Sequence, residues 1–265
     1  LLSLSNYWAE RQEQKLVEFE LETKEAQKQI VEILKQAKKN IDRQVNDVYM
    51  TYSNKTGLAV DELSQILSGS EKANFYLAIQ RKMQELGMNY EDVYHEGYLA
   101  RLKRLDALRE QIYWEMVTLA PKEVQIMEET FTKIARNAYQ TTGQELARFK
   151  GISPSFAVID TGVVRQVISR NWFGSNFSDR IWTNTEALAN RLAGTLGSAL
   201  SMGQSYSRTA NDLRADFRVA RYEAVRLVRT ESAFIYGQSD IEAYKDAGIE
   251  WYQYDAVMEN TCDEC

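Results

Sequence analysis

Two groups of side chains have types and spacings that could do chemistry. The first is Cys262-Asp263-Glu264-Cys265. Thiolates separated by two residues can share one zinc ion through a tight turn, but a structural zinc site takes four ligands. Asp255 is the acidic candidate for a further ligand, and any others would come from a neighbouring chain or from sequence beyond Cys265. The single histidine, His95, lies far away in the chain and reads as an ordinary surface or core residue. A thioredoxin-like role has less support, since no βαβ pattern precedes the cysteine pair and no helix can follow it within the chain.

The second group is Arg214, Arg218, Arg221 and Arg229. At about 100° per residue these four fall within an arc of about 80° on one helix, with Asp212, Asp216 and Glu223 roughly opposite. A guanidinium fork fits a phosphate and fits a carboxylate equally well. The stripe therefore suits either phosphate contact or pairing with acidic residues of a neighbouring helix or subunit. Other catalytic signatures are missing from the sequence: there is no GxxxxGK[ST] or GxGxxG segment, and a nucleophilic triad would have to recruit His95 with no local nucleophile motif. No enzyme is expected.

The elements that must hold these residues are helical. In 265 residues there are only 2 Pro and 13 Gly, and helix formers dominate. Lys+Arg 32 against Asp+Glu 38 leaves a net charge of −6, which argues against general nucleic-acid affinity and confines any DNA contact to a local patch. No stretch of about 18 apolar residues is present to span a bilayer, and the first residues lack a signal-peptide pattern. A cytosolic origin and no membrane partner are expected. Two cysteines at the very end make no disulfide framework, and a chain that starts without Met and stops at Cys reads as part of a longer product.

From Tyr7 to about Tyr52 small or apolar residues recur at Leu16, Phe19, Ala26, Ile30, Ile33, Ala37, Ile41, Val45 and Val48, with Thr23 filling one gap. This predicts one long amphipathic helix, packed along others or projecting as an arm. A polar turn at 53–57 and a short helical piece from Asp61 come next. Then comes a helix with Phe75, Ile79, Met83 and Leu86, closed by Gly87. Asn89 is expected to cap one helix running through Val93, Leu102, Leu105, Leu108, Ile112, Met116 and Leu119. Pro121 suits the first turn of the next, which carries Val124 to Leu146.

Turn formers at Gly143 and at 149–154 mark a boundary, so residues 1–150 are expected to form a long-helical domain and 151–265 a smaller α(+β) domain. In the second, an aromatic loop at 171–182 leads into a helix spaced by Leu188, Leu192 and Leu196. A further helix runs from Ala210 to about Ala247. Gly248 ends it, and a short strand or hairpin is expected near 249–257. The fold class is mainly α.

Several of these stretches together resemble one family, the minor head or head-morphogenesis proteins of tailed phages, often called Mu F-like. The opening Asn6-Tyr7-Trp8-Ala9-Glu10-Arg11 is similar to the start of members from phages of Gram-positive hosts. Trp172 with Phe177-Ser178-Asp179-Arg180-Ile181-Trp182 is similar to their central aromatic segment. The most specific likeness is C-terminal: Arg229-Thr230-Glu231, Tyr244 to Gly248, Ile249-Glu250-Trp251, Asp255, and Thr261 to Cys265.

The resemblance implies a minor capsid protein made in the bacterial cytoplasm and carried in the virion in several copies. Its implied partners are the portal protein, the major capsid protein or both, and its implied role lies in head assembly, DNA packaging or DNA delivery. It implies no enzymatic activity, and it reads Arg229-Thr230-Glu231 as a structural ion-pair or capping element. Family members usually continue past the cysteine pair with further Cys or His, so any zinc would belong to the full-length product. Two alternatives stand beside this: a zinc-containing DNA-binding protein that accompanies the genome, and an anchoring module for a C-terminal enzyme domain outside the chain.

Overall fold

The computed structural model describes residues 4–54, 57–151, 160–172 and 174–252. The chain is mainly α: ten helices among the described residues, with one minimal hairpin pairing β1 (Ser53–Asn54) antiparallel to β2 (Gly57–Leu58). The first helix, α1 (Leu4–Tyr52), runs for 49 residues. Its buried line is Lys15, Thr23, Ala26, Ile30, Leu34, Ala37, Ile41, Val45 and Tyr49, which keeps the three-four spacing of one helical face.

Three positions of that line differ from the expected stripe. Lys15 is buried while Leu16 is 43% exposed, because the Lys15 ammonium has polar partners inside, described below. Leu34 and Tyr49 take the places expected for Ile33 and Val48, which are half-buried. In the last case the Tyr49 hydroxyl donates to Gln204 O at 2.8 Å.

After α2 (Val60–Leu63), α3 (Gly69–Glu85) begins with a capping box in which Ser68 and Glu71 satisfy each other's backbone N–H. It ends as expected at Gly87, whose φ of 69° a residue with a Cβ rarely adopts. The helix expected from Asn89 to Leu119 is not continuous. It is split into α4 (Tyr90–Val93), α5 (Glu96–Leu99) and α6 (Arg104–Val117). The breaks let Tyr94 and Leu102 turn into the core, where Trp114 Nε1 donates to the Tyr94 hydroxyl at 2.7 Å. Lys103 and Ile66 form an isolated β-bridge at the second break.

The next helix, α7 (Ala120–Lys150), carries Pro121 in its first turn and runs through Gly143 without interruption. A short helix α8 (Thr161–Ile168) precedes α9 (Phe177–Ser201), which starts inside the loop expected over 171–182 because Asn176 and Asp179 form a capping box that makes 177–182 helical. Last comes α10 (Tyr206–Asp246), of 41 residues. Gly248, with φ 63°, ends this helical run. The strand expected near 249–257 is not found where it can be followed. Residues 249–252 have no regular structure; Ile249 N bonds back to Tyr244 O at 2.9 Å, and Trp251 is 89% exposed. Residues 253–257 lie outside the described residues.

By packing, the chain groups into two compact units that are each discontinuous in sequence. One comprises the described residues of 1–19, 131–168 and 233–265, the other 20–130 and 169–232. This grouping cuts the chain at places other than the expected division at residue 150. In the larger unit a core of Phe75, Ile79, Met83, Tyr90, Tyr94, Leu102 and Trp114 sits among α3, α4 and α6, and α6 packs along α9. In the smaller unit Phe131, Ile134, Ala138, Val164, Val167, Ile235 and Ala243 are buried. No described helix is long and apolar enough to cross a membrane.

Candidate functional site

The arginine stripe lies on α10, and the fold explains which way it faces. Thr209, Leu213, Phe217, Ala220 and Val228 are buried at 0–7% exposure, so one side of the helix is committed to the core. The Thr209 hydroxyl lies 2.7 Å from the Tyr49 hydroxyl. Arg214, Arg218, Arg221 and Arg229 all fall on the exposed side. Arg208 and Arg226 join them. These two are 18 residues apart, five helical turns, and therefore share one azimuth. The six guanidinium groups cover an arc of about 140° and a length of about 32 Å.

The carboxylates of the same helix sit on the other flank. Asp216 is half-buried and accepts from the Thr195 hydroxyl at 2.8 Å, and Glu223 is also half-buried, leaving Asp212 as the exposed acid of this stretch. Among the described residues, pairing does not consume the stripe. Arg214 donates to the Asn211 side chain at 3.1 Å and Arg226 lies 5.9 Å from the centre of the Tyr222 ring. Among the described residues no ion pair or hydrogen bond engages the Arg218 or Arg221 side chain. Arg229 contributes to holding the Glu20 carboxyl below its usual range, after the larger effect of Lys24.

Arg180 is used in the opposite way. Glu231, 2% exposed, accepts from Arg180 Nη1 and, at 2.9 Å, from Trp172 Nε1. Arg180 also donates to the Trp172 carbonyl and to Ser175 O at 3.2 Å and Oγ at 3.1 Å, with its guanidinium 4.8 Å from the Trp172 ring centre. The aromatic loop is thus fastened to α9 and α10 by one buried carboxylate. Neighbours in sequence, Arg229 and Glu231 point to opposite sides of α10.

A second buried pair lies in the smaller unit. Lys15 Nζ is 3.0 Å from Asp240 Oδ1 and 2.6 Å from Thr142 Oγ1, which donates to the same carboxylate at 2.5 Å. Burial raises the Asp240 carboxyl in spite of Lys15 and Thr142, which act the other way. Glu123, in the first turn of α7, is buried at 7% exposure and is pushed up to about 8 by burial alone.

A cleft of about 550 Å³ is lined by Tyr98, Arg101, Arg109, Glu110 and Tyr113. The Tyr94 and Tyr98 hydroxyls donate to Glu110 at 2.6 and 3.2 Å, so its carboxylate is already occupied by the protein.

Cys262, Cys265 and Asp255 lie outside the described residues. Among the described residues no cluster of three His, Cys, Asp or Glu could hold a metal ion, and His95 is exposed at the start of α5. The sequence reading missed Arg208, Arg226 and Tyr222, although the 18-residue repeat of the two arginines was readable. It also missed Lys15, which hydropathy alone assigns to the outside. Compared with family models, curated proteins and solved structures, the chain finds no match.

Proposed function

We propose that this chain is a minor capsid, head-morphogenesis protein of a tailed phage, a structural component that docks on the portal vertex or the inner capsid. One observation carries the reading. Two of the segments on which the likeness rests, Trp172 with 177–182 and Arg229-Thr230-Glu231, are about fifty residues apart in sequence and meet at one buried node. Residues that fasten three elements together are the ones a fold needs, and they are where a likeness in sequence carries a likeness in structure. Within the triplet, Glu231 pairs with Arg180 while Arg229 faces outward. Helices of 49, 31 and 41 residues also offer the extended surfaces that a docking subunit buries against a ring of partners.

The test is co-purification of the chain with portal and major capsid proteins at low and high salt. Substoichiometric association with the portal that survives high salt is expected. A chain that elutes free of both partners at every salt concentration would end the proposal.

A further inference from the structure

We infer that the exposed arginine face of α10 binds the phosphate backbone of double-stranded DNA without reading its sequence. The face holds Arg208, Arg214, Arg218, Arg221, Arg226 and Arg229, with Asp212 the exposed acid of the stretch. Like charges three and four residues apart on a helix repel, and at Arg214, Arg218 and Arg221 this repulsion is unrelieved by any carboxylate among the described residues. A polyanion relieves it along the whole length. The chain as a whole is acidic, at −6, so this is a local concentration of cations and not a bulk property.

Three features favour duplex DNA over other polyanions. Protein interfaces use Arg too, but they are built around a cluster of buried aromatic and apolar anchors, whereas between Arg208 and Arg229 the large apolar or aromatic side chains exposed are just Val219 and Tyr222. Sequence-tolerant single-strand binders stack successive bases on several aromatic platforms; this face offers Tyr222 alone, with Arg226 beside it. The rod of arginines, about 32 Å long, is close to one turn of B-DNA at about 34 Å. Base reading is not built in. Asn211, the amide on this face, already accepts from Arg214, and arginines spread along a rod reach backbone phosphates, which position without specifying.

The inference does not depend on docking at the capsid. It is tested with the full chain and two labelled 30-base-pair duplexes of unrelated sequence, by fluorescence anisotropy between 50 and 200 mM salt. The two duplexes should bind alike, and log affinity should fall against log salt with a slope of about −5 for six neutralised phosphates. Changing Arg214, Arg218 and Arg221 together to Glu should weaken binding at least tenfold, with helicity by circular dichroism unchanged. The same three changed to Gln, which add no repulsion, should lower the slope by about 2 to 3.

Changing Lys28, Lys35 and Lys39 of α1 to Glu alters bulk charge equally and should leave α10 binding within twofold. No duplex binding at 50 mM salt overturns the inference. So does equal loss in the α1 and α10 variants, or tighter binding of poly-glutamate than of duplex. Portal association retained by an α10 variant that has lost DNA affinity would show that the two functions use different surfaces. Loss of portal association with DNA binding intact would count against docking alone.

Discussion

Arg180 and Arg218 are the same side chain put to opposite ends. Arg180 is held by a buried carboxylate, two backbone carbonyls, a serine hydroxyl and an indole face, and its removal touches the path of the chain. Arg218 stands in solvent with no partner among the described residues. Charge alone does not say which arginine serves the fold and which serves a surface. That is decided by what lies opposite the guanidinium, and a helix with one face in the core can carry both kinds of polar residue within three positions, as Arg229 and Glu231 do.

The contrast is most open to breaking at the buried end. Glu231→Ala removes the buried carboxylate that Arg180 and the Trp172 indole N–H share, leaving the Arg180 charge unneutralised, and should cost about 3 kcal/mol in urea unfolding. Replacing the pair together, Arg180→Met with Glu231→Leu, should recover a large part of that loss, because the penalty lies in the orphaned charge. If the single and double variants are equally unstable, the node is held by packing and the contrast fails.

Glu123 tests the same rule with pH. Its folded-state carboxyl is pushed up to about 8 from an ordinary 4.5, so between these values the folded chain keeps a proton that the unfolded chain releases. This group's contribution to stability is fully present below pH 4.5 and is lost as pH rises through about 8. Between pH 5 and 6.5 alone the loss should be on the order of 2 kcal/mol. Glu123→Gln should flatten the stability profile over that window, measured as unfolding midpoints at pH 5, 6.5 and 8.5.

Smaller again is the cap of α9. Asn176→Ala removes the acceptor for Asp179 N, 3.0 Å away, and should lower stability by about 1 kcal/mol, seen as an earlier melting midpoint. At the exposed end, Arg218→Ala should change stability by less than about 0.5 kcal/mol. A larger loss would reveal a structural role and draw the two arginines together.

Much of this was legible in the sequence, and the exceptions have physical causes. The long first helix, the Phe75-Ile79-Met83 stripe and the Gly87 and Gly248 ends follow from periodicity and from glycine's access to positive φ. The split of 89–119 was hidden because Tyr94 and Leu102 fit a helical period, and only the hydrogen bond with Trp114 across twenty residues shows why the chain turns them inward. Lys15 was hidden for a related reason: an ammonium is buried when Asp240 and Thr142, more than a hundred residues away, meet it there.

At the candidate site, four of the six arginines could be read from spacing, but not that Arg218 and Arg221 would lack a partner among the described residues. That depended on Asp216 being engaged by Thr195 and on where the core side of α10 falls.

The triplet Arg229-Thr230-Glu231 ties the phase of the surface to the phase of the node. Deleting Thr230 would turn everything before it by about 100° relative to everything after it. Glu231 could then stay on Arg180 only by swinging the arginine row toward a different side of the molecule. Substitutions along the row leave the scaffold as it is, whereas changes of length within the helix do not. Variation on this face is therefore expected to come as exchanged letters and not as inserted or missing ones.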